Sequence, residues 1–411
     1  MNEPYHMPGN RTAEFAGAKD CLGIQDRLPA NASTRQGSSL WPVVEGHWGG
    51  VELIERFAAE WRQLCDEGPT DQPFYRPEWV GAYVRAFAPQ LRLLLVTARI
   101  AGRLQAVLPL VGERRSVAGL PVRVLRSAAN VHSSRFDLVR GPSIAGDAAT
   151  GAIWQFLRAC PQWDKLEFEY VPPDAALEQL VSAAALDGFP TEREASWRTP
   201  YIPLTDSDGS DGSWFERTDA KFRANLRRRL RKLSAKGPLV LHRFTKADPA
   251  VLQCIYDVER SGWKGRARSA IACNPATRQF YDEVAREAAR FGYLSLYVLD
   301  LNGRAVAAHF GVAHRGRYFL PKPAYDESYS HNSPGQLLMH AVLTDCVRQG
   351  YREFDFLGPL AEWKAEWTSK VRPHSVWHVF HEGAWGRTHH AVRFRMRRAV
   401  KVLLGLARSS R

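Results

Sequence analysis

Residues 257–270 read DVERSGWKGRARSA and place Glu259, Trp263 and Lys264 within one short span. On helical spacing Glu259 and Trp263 are i, i+4 neighbours. A carboxylate beside an indole is partly desolvated, which raises its pKa toward that of a useful general base. An ordinary surface Glu–Lys pair with a packed Trp is the competing reading.

Three more stretches carry residues suited to a site. In SYSHNSPGQLLMHAVL (328–343) a polar loop runs into a helix, and Ser333 before Pro334 marks its start. The first turn there, Ser333, Pro334, Gly335, Gln336 and Leu337, would offer free N–H groups and a positive dipole end to a phosphate. A capped helix that binds nothing has the same signature. In YREFDFLGPLAEWKAEW (351–367) Asp355 lies between Phe354 and Phe356, so on a strand it faces the other way. That places it at a cleft or in solvent, and Lys364 follows between Trp363 and Trp367. In RYFLPKPAYDESY (317–329) Lys322 sits between two prolines, which interrupt normal strand pairing and leave backbone groups for a ligand. The alternative is a plain edge strand.

Other chemistry finds no support. His374 and His378 would share one face of a strand and His381 would not, with no Cys or acid close by, so no metal is expected. GxSxG, HExxH, Walker A and GxGxxG motifs are absent, which removes serine hydrolase, zincin, P-loop and Rossmann readings.

The elements that must hold these residues repeat along the chain. LLLVTARIAGRLQAVLPL (93–110) and LSLYVLDLNGRAVAAHFG (294–311) align with Leu95 on Leu296, Gly102 on Gly303 and Arg103 on Arg304. Each reads as strand, tight turn, strand, and Asn302-Gly303 is the stronger turn signal. WDKLEFEYVP (163–172) echoes YREFDFLGPL (351–360), each after a helical stretch, at 151–160 and 334–349. The expected class is therefore mixed α/β, with a duplicated domain order. Boundaries follow from composition: a polar leader at 1–40, a first domain at 41–204, a Gly/Ser/Asp linker at 205–213, a second domain at 214–385 and a basic tail at 386–411.

The charge is concentrated. KFRANLRRRLRKL (221–233) contributes +7 and residues 387–411 contribute +8, which leaves about −2 for the rest of a chain of net charge +13. A general polyanion binder would spread its charge over a face. Phe222, Leu226, Leu230 and Leu233 fall on one helical face, so the first basic segment reads as a packed amphipathic helix flanked by arginines, Arg223 and Arg228 among them. The tail could lie on an anionic membrane surface or dock on the body. Six widely spaced cysteines read as free thiols in a reducing cytoplasm. No apolar run approaches the ~18 residues of a membrane span.

These pieces occur in an order that resembles the GNAT-superfamily acyltransferases of the CelD/BcsL type, associated with cellulose and exopolysaccharide genes and similar to Fem-type aminoacyl transferases. The matching features run from PFYRPEWVGAYVRAF (73–87) to EWKAEW (362–367). They include SAANVHSSRFDLV (127–139), the basic helix, the Glu259–Lys264 element, the Lys322–Tyr325–Asp326 stretch, SPGQLL and FDFLG.

The resemblance implies tandem GNAT-like domains, each a central mixed sheet flanked by helices, the first a degenerate copy. It implies acyl-CoA as co-substrate, its pyrophosphate on Ser333, Pro334, Gly335, Gln336 and Leu337, although HNSPGQLL carries one glycine where the family loop carries more. Glu259 is implied as general base or acceptor anchor, Asp355 as second carboxylate, and Lys264, Lys322 and Lys364 as phosphate, acceptor or oxyanion partners. Trp263, Tyr325, Arg223 and Arg228 would border the substrates. The expected activity is acyl transfer to an amine or hydroxyl of a sugar or glycan precursor, lipid or metabolite, in the cytoplasm or at the inner face of the membrane. A Fem-like enzyme using aminoacyl-tRNA and a non-enzymatic membrane or nucleic-acid adaptor are the alternatives.

Overall fold

Strand order in the sheet departs from strand order in the chain at its centre, and there the two halves exchange a strand. The computed structural model describes residues 41–117, 120–205 and 214–395. The expected leader (1–40), nearly all of the expected linker (206–213) and the last part of the basic tail (396–411) lie outside the described residues.

The first half runs β1 (Val43–Gly49), α1 (Glu52–Glu67), α2 (Pro77–Phe87), β2 (Arg92–Ile100), β3 (Arg103–Val117), β4 (Leu120–Ser127), β5 (Val139–Arg140), α3 (Ser143–Ala159), β6 (Lys165–Val171), α4 (Leu177–Leu186) and β7 (Thr191–Pro203). The second runs α5 (Ala220–Ser234), β8 (Leu239–Phe244), α6 (Pro249–Arg260), α7 (Trp263–Arg266), α8 (Pro275–Arg290), β9 (Leu296–Leu301), β10 (Arg304–His314) and β11 (Arg317–Tyr325). It continues with α9 (Pro334–Arg348), β12 (Glu353–Asp355), α10 (Glu362–Ala365), β13 (Val371–Phe380) and α11 (Ala384–His390).

The sheet path is β1-β2-β3-β4-β6-β13-β7-β12-β11-β10-β9-β8, with β5 beside β3. From either end it reads alike: four antiparallel strands, one parallel step (β4 to β6, β11 to β12), then a strand given by the other half. β13 pairs with β6, β7 pairs with β12, and the two donated strands pair with each other. The mixed α/β class and the duplicated order of elements are thus present in one large sheet flanked by helices.

The repeated hairpins have the same turn. Ala101 (φ 49°) and Gly102 (φ 78°) match Asn302 (φ 55°) and Gly303 (φ 79°), so both are left-handed pairs of the type I′ kind. The helix expected at 151–160 begins earlier, at Ser143. Its first turns consist of small residues, which give no apolar period, yet Ala149, Ile153, Trp154 and Leu157 bury one face.

Helices α1, α2, α6 and α8 share one apolar core across the halves. Phe74 meets Phe319 edge-on at 5.4 Å, Trp79 meets Phe280 at 5.6 Å, and Arg85 of α2 pairs with Glu283 of α8. On the opposite face α3 and α4 cover the first half, and α5 and α9 the second.

The basic segment is a packed helix. Asp219 accepts the Phe222 N–H at 2.9 Å as its cap, and Phe222, Leu226 and Leu233 are buried. Leu230 departs from the expected stripe and is 42% exposed, because it borders a small groove with Leu226, Leu239, Leu299 and Leu337. Among the described residues no helix is long and apolar enough to cross a membrane, and the five described cysteines are free.

Candidate active site

Parallel pairing of β11 with β12 is confined to Arg317–Phe319 opposite Glu353–Asp355. Beyond it Pro321 and Pro323 bring no N–H. β11 continues against β10 alone, with Lys322 opposite Phe310 and Pro323 opposite His309. The other wall leaves the sheet through Leu357 (φ 51°) and Gly358 (φ 59°). A left-handed Leu is strained, so surrounding contacts must hold it there. Past the last pair, Phe319 with Asp355, these two segments share no ladder pairing, and the gap between them is the candidate cleft.

Three expected residues meet at its mouth. Glu259, at the end of α6 and 3% exposed, accepts from Lys264 Nζ at 2.9 Å through Oε1 and from the Ile271 N–H at 2.8 Å through Oε2. Lys322 Nζ lies 3.9 Å from the same Oε1 and over the Tyr281 ring at 5.5 Å. Lys264 also donates to the Pro323 carbonyl at 2.8 Å, which ties α7 to the cleft wall. Gly265 makes this turn possible, since a Cβ there would lie 1.9 Å from the Arg260 carbonyl oxygen. Glu327 completes the tie by accepting from the Trp263 N–H and from Arg266, both at 2.7 Å.

Trp263 does not shield Glu259. The helix ends at Arg260, which breaks the i, i+4 relation, and Trp263 is 53% exposed. Glu259 is desolvated by tertiary packing instead.

Lys364 enters from the opposite wall. It donates to the Leu357 carbonyl at 2.6 Å and the Pro359 carbonyl at 2.9 Å, fastening the left-handed turn. Burial pushes the Lys364 ammonium down to about 8; Asp355 opposes the shift and Lys264 adds to it. Burial likewise brings Lys322 down to about 8, against the pull of Glu259 and with help from Lys264.

Asp355 is fully buried beneath the cleft. It pairs with Arg135 and with Arg372 (3.2 Å), and accepts the Leu357 N–H at 2.9 Å. As expected it points away from Phe354 and Phe356, which bury in the core under α9.

The α9 terminus borders the cleft through Tyr325. Ser333 is left-handed (φ 48°), and its carbonyl accepts from the Gln336 and Leu337 N–H groups. Pro334 takes the first helical position, and a Cβ on Gly335 would come within 3.2 Å of the Tyr325 ring. Gln336 is held by Trp367 (2.6 Å) and Glu366 (2.8 Å), and Leu337 is core. The structure does not bring Arg223 and Arg228 into this group. Arg223 binds the Glu216 and Thr218 carbonyls, and Arg228 binds Asn225 at 3.3 Å.

Several site residues carried no assigned role in the sequence. His132 comes from the first half and stacks on Phe87 at 5.4 Å, with Nδ1 3.4 Å from the Tyr281 hydroxyl. Burial, then Lys322 and Lys264, hold it down at about 3, so it is neutral. His309, also neutral and pushed to about 3 by burial, keeps an unpartnered Nδ1. SAANVHSSRFDLV, which contains His132 and Arg135, was the one signal that could have located them. Among the described residues no group of three or more His, Cys, Asp or Glu is arranged to hold a metal ion.

Residues 220–365 match the family model described as an acetyltransferase (GNAT) domain. Of solved structures, FemX is similar with a TM-score of 0.55 at 9% identity, covering 85% of this chain and 99% of that one. A tandem GNAT protein from the clavulanic acid biosynthesis pathway is similar with a TM-score of 0.42 at 14% identity, covering 83% and 100%. The C-terminal domain of a putative lysylphosphatidylglycerol synthetase from Agrobacterium fabrum gives 0.48 at 12%, covering 79% and 92%. No curated protein matches the sequence. Residues 220–365, which include the paired ends of β11 and β12, thus match an acetyltransferase (GNAT) domain, and the chain shares its fold with FemX.

Proposed function

We propose that the protein transfers an acyl group from acyl-CoA, bound in the β11–β12 cleft, to an amine or hydroxyl acceptor by direct attack. The observation that carries this is the placement of Lys322: a largely buried amine 3.9 Å from Glu259 and over the Tyr281 ring, where burial brings its pKa down to about 8. It can take a proton near neutral pH, as a general base must.

In this mechanism the acceptor nitrogen or oxygen bonds to the thioester carbonyl carbon, and its proton passes to the neutral Lys322 amine. The C–S bond then breaks, and the thiolate leaves with a proton returned from Lys322. Lys264 and Lys364 each have two N–H groups engaged by protein oxygens. Each keeps one donor for the developing oxyanion or for a donor phosphate. Glu259 has both oxygens engaged, so its role is to hold Lys264 and to set the charge felt by Lys322. Asp355 anchors the cleft floor. The α9 terminus, with Ser333, Gly335 and Tyr325, faces the donor.

A second reading, an aminoacyl-tRNA donor, is favoured by one feature. Arg227, Arg231 and Lys232 of α5 are exposed and have no acidic partner among the described residues. Thermal unfolding with acetyl-CoA, longer acyl-CoA and tRNA separates the two. A rise in midpoint with an acyl-CoA supports the first. A salt-sensitive rise with tRNA, and none with any CoA, replaces it with the second.

A further inference from the structure

The two parallel steps of the sheet end differently. In the first half β4 and β6 pair at Val124–Arg126 opposite Lys165–Glu167. Past that step the chain lays its own residues against β6. The Phe136 N–H donates to the Tyr170 carbonyl at 3.1 Å, Phe136 stacks on Phe168 at 6.4 Å, and the Glu169 N–H donates to Ser127 Oγ at 3.1 Å. The buried Asp137 ties this segment to α4 by accepting the Leu138, Ala176 and Leu177 N–H groups at 2.8, 3.2 and 2.9 Å.

The same segment reaches into the second half. Its Arg135 pairs with Asp355. Nearer its start, Asn130 Oδ1 accepts the His132 N–H at 2.9 Å and the Ser133 N–H at 3.1 Å, and Ser133 Oγ accepts from Trp79 Nε1 at 2.9 Å. The backbone at His132 is thus fixed from both sides. Its ring is fixed as well, flat on Phe87 at 5.4 Å and edge-on to Tyr281 at 5.8 Å. Nδ1 lies 3.4 Å from the Tyr281 hydroxyl, which has no other hydrogen-bond partner among the described residues. Burial holds the Tyr281 phenol well above its ordinary range and keeps His132 neutral, so the phenol donates and the imidazole accepts. The Tyr281 ring, itself 1% exposed, has Lys322 Nζ over its face at 5.5 Å.

An aromatic face supports an ammonium only while the ring stays beneath it. We propose that His132 is a positioning residue for Lys322, acting through the Tyr281 hydroxyl, so that a loop of the first half fixes the place of the proton-accepting amine in the second. Its catalytic meaning rests on the transfer reaction above. Breaking the bond between Tyr281 and His132 leaves a buried hydroxyl unpaired, and the ring must shift to regain a partner. The charged groups facing Lys322 are Glu259 at 3.9 Å and Lys264, and a change at His132 leaves both in place. What Lys322 loses is the ring face. The ammonium form is then less favoured, so its titration moves to lower pH.

The test separates the hydrogen bond from the ring stack in the full chain. His132→Phe keeps a ring on Phe87 and loses the acceptor; His132→Asn loses the ring and keeps an oxygen that can accept the same O–H. Trace labelling with acetic anhydride, which reacts with the neutral amine, reads the Lys322 titration by mass spectrometry and needs no substrate. The parent should show a midpoint near 8. His132→Phe should lower it by about half a pH unit or more, and His132→Asn should leave it within about 0.2 units of the parent. In a Tyr281→Phe background His132→Phe should add no further shift, because the bond it removes is already gone. An unmoved midpoint in His132→Phe, an equal shift in both variants, a shift in His132→Asn alone, or an undiminished shift in the Tyr281→Phe background would overturn the assignment. Should His132→Phe not fold, His132→Leu, which also lacks an acceptor, takes its place. The thermal midpoint of the parent with acetyl-CoA keeps the proposals apart. A rise with acetyl-CoA and no labelling response sinks the positioning role alone; a labelling response and no rise with any acyl-CoA sinks the CoA reaction alone.

Discussion

Arg135 and Asp355, 220 residues apart, form a fully buried ion pair beneath the cleft. Gln72 holds the same guanidinium at 3.0 Å, and Arg372 reaches the same carboxylate. The floor of the second-half cleft is therefore built partly by the first half. Removing one member leaves the other charged and buried. Arg135→Ala should lower stability by about 3–5 kcal/mol in chemical denaturation. A loss within experimental error would show that water or Arg372 replaces the pair.

Lys322 governs the expected pH dependence. Its pKa is brought down to about 8 by burial, and the neutral amine is the active form. The transfer rate should rise with pH and level off above about 8. Lys322→Met should lose that limb and slow transfer by roughly a hundredfold or more, with acyl-CoA affinity nearly unchanged. A variant that keeps both rate and limb would remove Lys322 from the chemistry.

Glu259→Gln distinguishes a base from an electrostatic partner. The Glu259 charge raises the Lys322 pKa against burial. Taking that charge away should shift the rate limb to lower pH while the limb persists. If Glu259 is itself the base, the limb disappears instead. Rate against pH for the variant and the parent decides between them.

The first hairpin holds a reserve of stability. Ala101 occupies a left-handed position that Asn fills in the equivalent hairpin, at Asn302. Ala101→Asn should stabilise the protein by about 0.5–1 kcal/mol, and Asn302→Ala should destabilise it by a similar amount. Opposite signs would show that the turn is set by its strands and not by its own residues.

The division of labour between sequence and tertiary structure follows from range. The hairpins, the helix starting at Pro334, the basic helix capped by Asp219 and the duplicated order of elements depend on turn chemistry, caps and apolar periods, all written within a few residues. The same holds for Asp355 turning away from its flanking phenylalanines, and for the prolines of β11 that lie past its pairing with β12. Glu259, Lys264 and Lys322 each lie on a motif the sequence singles out, but the meeting of Lys322 with Glu259 belongs to the tertiary structure. The exchange of β7 and β13 does too, since a strand's alternation states which face is buried and not which neighbour it pairs with. Nor could the sequence show that Glu259 and Asp355 are saturated, because their partners, Lys264 and the Ile271 N–H for one and Arg135 and Arg372 for the other, meet them only in the folded chain. Trp263 parts from Glu259 for a local reason: α6 ends at Arg260, before the i, i+4 spacing that would join them. Sequence determined the elements and the residue types at their ends, and only the folded chain decided which of those residues remain available for chemistry.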